Sequence, residues 1–137
     1  MKNLKVIIDT NIFVSALLGG KTCKFICDHF EQNVFTLVLS RLIIKEIKET
    51  LIHKEIGHIS TDDVEHLFRT INTHAKIVTP SKKVSVCRDP EDNKLLEAAL
   101  AAKAHFLITG DKDLITLKTF HKTRIITPKE FLKILTK

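Results

Sequence analysis

The chain has 137 residues, a length that fits one domain with a core of its own. Its 44% apolar and 28% charged residues match an ordinary globule, and only 4 Gly and 3 Pro argue against long low-complexity tails. Lysine and arginine outnumber aspartate and glutamate by 22 to 16, and the resulting +6 points to an anionic partner without identifying it.

Residues 4–9 are a short apolar, β-branched run that reads as a buried parallel strand. Thr10-Asn11 follows, and residues 12–18 read as a short helix broken by Gly19-Gly20. Phe25, Ile26 and Phe30 recur at helical spacing within residues 22–31, and residues 35–39 read as a second buried strand. Ser40 is a suitable cap for a helix over 41–54, with Ile43, Ile47 and Leu51 as its apolar stripe. Gly57 and Ser60 interrupt. Ser60 with Asp63 matches a capping box that opens a helix over Thr61–His74. Lys76–Val78 reads as a strand and residues 82–86 as a further short one. Asp89-Pro90 supplies a cap and a first helical residue for a helix whose body is 94–103. Residues 106–109 form another buried strand, Gly110-Asp111 a turn, 113–118 a helix and 124–126 the last strand. Thr127-Pro128-Lys129-Glu130 then opens a closing helix. This alternation predicts a single α/β domain over 1–137, with a mostly parallel sheet of about five strands covered on both faces.

The charge is uneven. Residues 1–40 carry +1, residues 41–75 carry −1, and residues 76–137 carry +6 while still holding seven acids. Cys23, Cys27 and Cys87 are too few and wrongly spaced for a disulfide framework or a cysteine zinc site. Cys23 and Cys27 share a helix face and read as small packing residues in a reducing, cytoplasmic setting. No apolar run has the length of a membrane span, and the first residues lack a leader layout, so no membrane partner is expected.

In an open α/β sheet, ligands bind beyond the carboxyl ends of the strands. Asp9 ends the first strand, and Asp111, between Thr109 and Asp113, follows the 106–109 strand. Asp92 falls in the first turn after Asp89-Pro90. Glu46 faces away from the Ile43–Ile47–Leu51 stripe. These carboxylates from four segments can converge on one rim. Packed carboxylates repel, so such a group calls for a hard cation, Mg²⁺ or Mn²⁺, able to activate water at a phosphorus centre. Asn11 is placed to orient Asp9, and the Thr109 hydroxyl to hydrogen-bond a water on the cation.

Each acid also has an ordinary reading. Asp92 suits the dipole of a helix start, Asp111 a turn or cap, and Glu46 a solvated face. Asp9, directly after a buried Val-Ile-Ile run, is the hardest to dismiss. Gly20-Lys21-Thr22 echoes a phosphate-binding loop, but Ser15 stands where that pattern needs glycine. The seven histidines are scattered. The absence of Trp and Tyr argues against an aromatic platform for single strands.

Val-Ile-Ile-Asp9-Thr10-Asn11, Ser40 followed by Glu46, Arg88-Asp89-Pro90-Glu91-Asp92-Asn93 and Thr109-Gly110-Asp111-Lys112-Asp113-Leu114 resemble the PIN-domain family. Within it the likeness is to the bacterial VapC-like toxin components of toxin–antitoxin pairs. The resemblance implies a PIN-like (Rossmann-like) three-layer α/β/α sandwich with an acidic Mg²⁺/Mn²⁺ site. It further implies a metal-dependent endoribonuclease that cleaves single-stranded RNA. On it, Asp9, Asp92 and Asp111 hold the metal, with Glu46 helping directly or through water, and Asp113 is auxiliary. Asn11 and Thr109 match supporting positions, and Asp89 is assigned to capping. It also implies a homodimer and a small cognate antitoxin. Two other classes stand beside it: a non-catalytic RNA- or protein-binding module, and a haloacid-dehalogenase-type phosphatase. The phosphatase needs Asp-x-Asp, and Asn11 occupies the second position.

Overall fold

Val6, Ile7 and Ile8 are all completely buried. Successive strand residues point to opposite faces, so burial of all three requires cover on both sides of the sheet. The computed structural model describes residues 4–53 and 59–137. The first three residues, the expected helix end at Lys54 and the break at Gly57 lie outside the described residues. In chain order the elements are β1 (Lys5–Ile8), α1 (Thr10–Leu17), α2 (Lys21–Glu31), β2 (Thr36–Ser40), α3 (Arg41–His53), α4 (Thr61–His74) and β3 (Lys76–Val78). There follow α5 (Pro90–Ala102), β4 (Phe106–Ile108), α6 (Lys112–Leu117), β5 (Thr119–Phe120), β6 (Thr123–Ile126) and α7 (Pro128–Leu135).

The sheet runs in the order β3-β2-β1-β4-β6-β5. Its pairings are parallel except for β5 against β6. Val6 of β1 lies opposite Leu37 on one side and Phe106 on the other. The chain builds outward from β1 to β3, then returns to place β4 on the other flank of β1. The crevice beyond the ends of β1 and β4 is therefore the topological switch point, where open α/β sheets bind ligands.

The expected α/β class and parallel sheet hold, with six strands among the described residues rather than about five. The missed strand, β5, is two residues long. It turns into β6 over His121-Lys122 with no glycine, His121 itself taking φ 54°. Neither length nor turn composition marks such a hairpin. Residues 82–86 form no strand; their chain lies along α5, tied to it by side chains. Val84 N–H donates to Glu97 Oε2 at 2.9 Å and Cys87 N–H to Asn93 Oδ1 at 2.8 Å. Helix α1 starts at Thr10, two residues before the expected position. Gly20 is a packing residue: a Cβ there would lie 2.5 Å from Ser15 Oγ, and its amide bonds Ser15 O at 2.8 Å.

Phenylalanines join the layers. Phe131 of α7 is fully buried, with its ring edge-on to Phe35 at 5.3 Å and 5.9 Å from Phe106 of β4. The Thr127–Glu130 capping box starts α7, so the helix enters in the orientation that delivers this ring. Phe131→Ala should cost about 3–5 kcal/mol, read as a lower urea midpoint at an unchanged slope.

Candidate active site

The site is assembled by backbone that must stop being a strand. β1 ends at Ile8, and Asp9 holds extended backbone as the residue before α1. Its carboxylate faces the first amides of α1, those of Thr10 and Asn11, without closing a cap bond to them. Instead Asp9 Oδ2 accepts from Thr109 Oγ1 at 2.7 Å. Thr109 is fully buried, and its hydroxyl also accepts the Asp111 amide at 3.0 Å. Asp111 in turn caps α6, its Oδ1 accepting from Asp113 N–H at 2.8 Å.

On the next wall, Asp89 caps α5 by accepting from Glu91 N–H at 3.0 Å. With capping done by Asp89, Asp92 is turned inward. It is only 6% exposed, and its Oδ2 is buried with no hydrogen-bond partner among the described residues. Asp92, Asp111 and Asp113 can each present an oxygen within 4.8 Å of the other two. Asp9 stands beside this trio, close enough for its charge to act on Asp92 and that of Asp111 to act on it. Glu46 reaches the same rim from α3, its Oε2 accepting from the buried Thr10 hydroxyl at 3.1 Å.

The electrostatics follow from this crowding. Burial, then the charge of Asp111, pushes Asp92 up to about 7. Asp9 is raised by burial, against the lowering effect of the Thr109 hydrogen bond. Glu46 is raised by burial, opposed by its Thr10 bond. Nearby cations act at the edges: Arg88 Nη2 meets both oxygens of Asp113 at 3.2 and 3.1 Å, and Lys94 Nζ meets Glu91 at 2.8 Å.

Asp9, Glu46, Asp92 and Asp111 do lie on one rim, from four separate segments. Asp113, expected as auxiliary, is inside the tightest trio, though half-exposed and already paired with Arg88. Asn11 is exposed, and its backbone amide rather than its side chain acts on Asp9. Thr109 is found beside both acids, its hydroxyl bonded to Asp9 and to the Asp111 amide, with one acceptor lone pair left over. Two contributors carried no expectation of their own, Thr10 and the Arg88 side chain, although both stand in quoted motifs.

The site is thus a cluster of carboxylates at the switch point of a mostly parallel α/β sheet. The sequence matches the family described as PIN domain over residues 5–113, and the chain belongs to that family. It is 33% identical over 144 residues to the uncharacterized protein MJ1680 of Methanocaldococcus jannaschii, covering 95% of this chain and 90% of that one. Two solved structures share the fold. PAE2754 from Pyrobaculum aerophilum superposes with a TM-score of 0.64 at 16% identity, covering 99% of this chain and 91% of its own. VapBC2 from Rickettsia felis, bound to a DNA fragment from their promoter, gives 0.61 at 14% identity, covering 90% and 98%. Among the described residues no helix is long and apolar enough to cross a membrane.

The raised pKa of Asp92 sets a pH dependence. Unfolded, the group titrates near 3.8; folded, near 7. Between these values the folded state binds the extra proton, so rising pH weakens the fold, and above about 7 the whole penalty stands. In EDTA, Asp92→Asn should be more stable than the parent by about 1–3 kcal/mol at slightly alkaline pH. The difference should shrink towards zero as pH falls to the unfolded value. Urea denaturation across pH measures it, and a difference independent of pH would contradict the buried-charge account.

Proposed function

We propose that the chain is a Mg²⁺- or Mn²⁺-dependent endoribonuclease that cleaves single-stranded RNA in the cytoplasm, the toxin of a toxin–antitoxin pair. PIN domains are generally nucleases. The observation that carries the reading is Asp92, a buried carboxylate with a partnerless oxygen set among other acids. Every donor is a carboxylate oxygen, a set that fits a hard divalent cation rather than a soft one. Asp9, Asp92 and Asp111 would hold it, with Glu46 and Asp113 at the margin. Bound there, the cation supplies the charge that ionises water near neutral pH and offsets negative charge gathering at phosphorus.

The protein groups have separable tasks. Thr109 donates a hydrogen bond to Asp9, which favours the ionised carboxylate and fixes its direction. Thr10 holds Glu46 by Oε2, so Oε1 is the atom offered to a proton from the attacking water. Attack on the phosphodiester would leave 5′-phosphate and 3′-hydroxyl ends. The free thiols Cys23, Cys27 and Cys87 agree with a reducing compartment. A small antitoxin partner, in keeping with the paired name of the fold neighbour VapBC2, and a homodimer complete the reading.

Rigorously purified protein should cleave a fluorescent single-stranded RNA with Mg²⁺ or Mn²⁺ and stop in EDTA. Asp92→Asn and Asp9→Asn should each lower the rate by about 100-fold or more. Full EDTA-sensitive cleavage by Asp9→Asn would falsify the assignment. Tight RNA or protein binding by the parent, with no metal uptake in calorimetry and no turnover, would favour the non-catalytic module instead.

A further inference from the structure

Away from the acidic rim, three adjoining depressions of about 170, 220 and 350 Å³ meet on the outer side of α5. Leu100 lines all three; Lys103, Lys82 and His121 each line two, so the depressions form one trough. Lys83 and Lys122 line it as well. The four lysines are exposed, and among the described residues none is in an ion pair. They come from three segments: the 79–88 run, the end of α5 and the β5–β6 turn. Lys103 alone could be explained by the dipole at the end of α5; Lys82, Lys83 and Lys122 could not.

One wall of the trough, the run that begins at Lys82, continues towards the carboxylates. The 82–88 run passes antiparallel to α5, with residue 84 bonded to Glu97 and residue 87 to Asn93. It starts beside Lys103 and ends at Arg88, whose guanidinium is on Asp113. From Lys103 back to Asp92 is about 16 Å along the helix. Phe120 and His121, rings edge to face at 4.6 Å, add aromatic surface to the same wall. One acid intrudes, Glu97, and its Oε2 is engaged by the Val84 amide.

From this continuity we infer that the trough carries the backbone of single-stranded RNA towards the acidic rim, with Lys82, Lys83, Lys103 and Lys122 on its phosphates. The inference rests on the nuclease reading for its direction, not for its binding chemistry. A groove of about 460 Å³ between α3 and α4 also holds cations, Arg41, Lys45 and Lys48, but two of the three are engaged. Its Lys45 is paired with Glu49, its Lys48 lies over the Phe68 ring, and Ile44, Ile71, Ala75 and Ile77 line it.

The test measures binding without turnover. A short fluorescein-labelled 2′-O-methyl oligoadenylate is titrated with full-length protein in EDTA over a range of salt. The double variant Lys103→Ala/Lys122→Ala should bind roughly tenfold more weakly, and its log K against log salt slope should be shallower by about 1.4, for two lost phosphate contacts. Lys45→Ala/Lys48→Ala should match the parent. Circular dichroism of each variant confirms folding, and Lys82→Ala/Lys83→Ala, on a segment outside the regular elements, repeats the test where helix stability is not at stake. Parental affinity and slope in both trough variants would overturn the inference, as would a loss confined to the α3 groove or no binding by the parent. RNA cleavage with no effect of the trough lysines leaves the nuclease reading standing and removes this one. Binding through these lysines without metal-dependent cleavage does the reverse.

Discussion

A single buried hydroxyl ties together the two strand ends on which the site stands. Thr109 Oγ1 donates a hydrogen bond to Asp9 and accepts one from the amide of Asp111. The backbone repeats the connection, with Asp9 N–H on Ile108 O and Thr109 N–H on Ile126 O. The register of β1 against β4, and of β4 against β6, therefore decides where both acids lie. A slip of one residue would turn every side chain of a strand to the opposite face and separate them. The core around Ile7, Ile8, Leu107 and Ile108 makes such a slip costly, because all four are fully buried.

That rigidity is what lets the chain hold charges that repel. Asp92 is turned inward because Asp89 already caps α5 and Pro90 starts it, which sets the rotation of the first turn. Asp111 is fixed by α6, and Glu46 by Thr10. None of these supports depends on a neutral site. The cations at the margin offset little: Arg88 is 87% exposed on its side chain, and a water-facing pair contributes weakly. The acidic rim is thus a locally unfavourable arrangement maintained by a well-packed sheet, the usual relation between a binding site and its scaffold.

Much of this could be read from residue order. Buried parallel strands declare themselves as unbroken β-branched runs, and Thr127-Pro128-Lys129-Glu130 and Asp89-Pro90 declare helix starts by local chemistry. Convergence of Asp9, Asp92, Asp111 and Glu46 followed from strand ends and helix faces. What escaped depended on contacts between distant segments. The direction of the Thr109 hydroxyl is set by Asp9, 100 residues away. Arg88 meets Asp113 across two elements. Asn11 looked like a partner for Asp9, but α1 begins at once and carries its side chain outward. The chain at 82–86 has strand-like composition yet pairs with side chains of α5, a choice made by Glu97 and Asn93 rather than by its own residues.

The ends of the sheet have a separate consequence. β3 is three residues long and β5 is two. Such brief borders present few unpaired amides and carbonyls in a row, so they are poor templates for another strand. Fibrous growth by edge-to-edge addition is disfavoured in the folded chain. Association of copies, or capture of another protein, must draw on helix faces and side chains, where single substitutions can tune it without disturbing the ladder beneath the site.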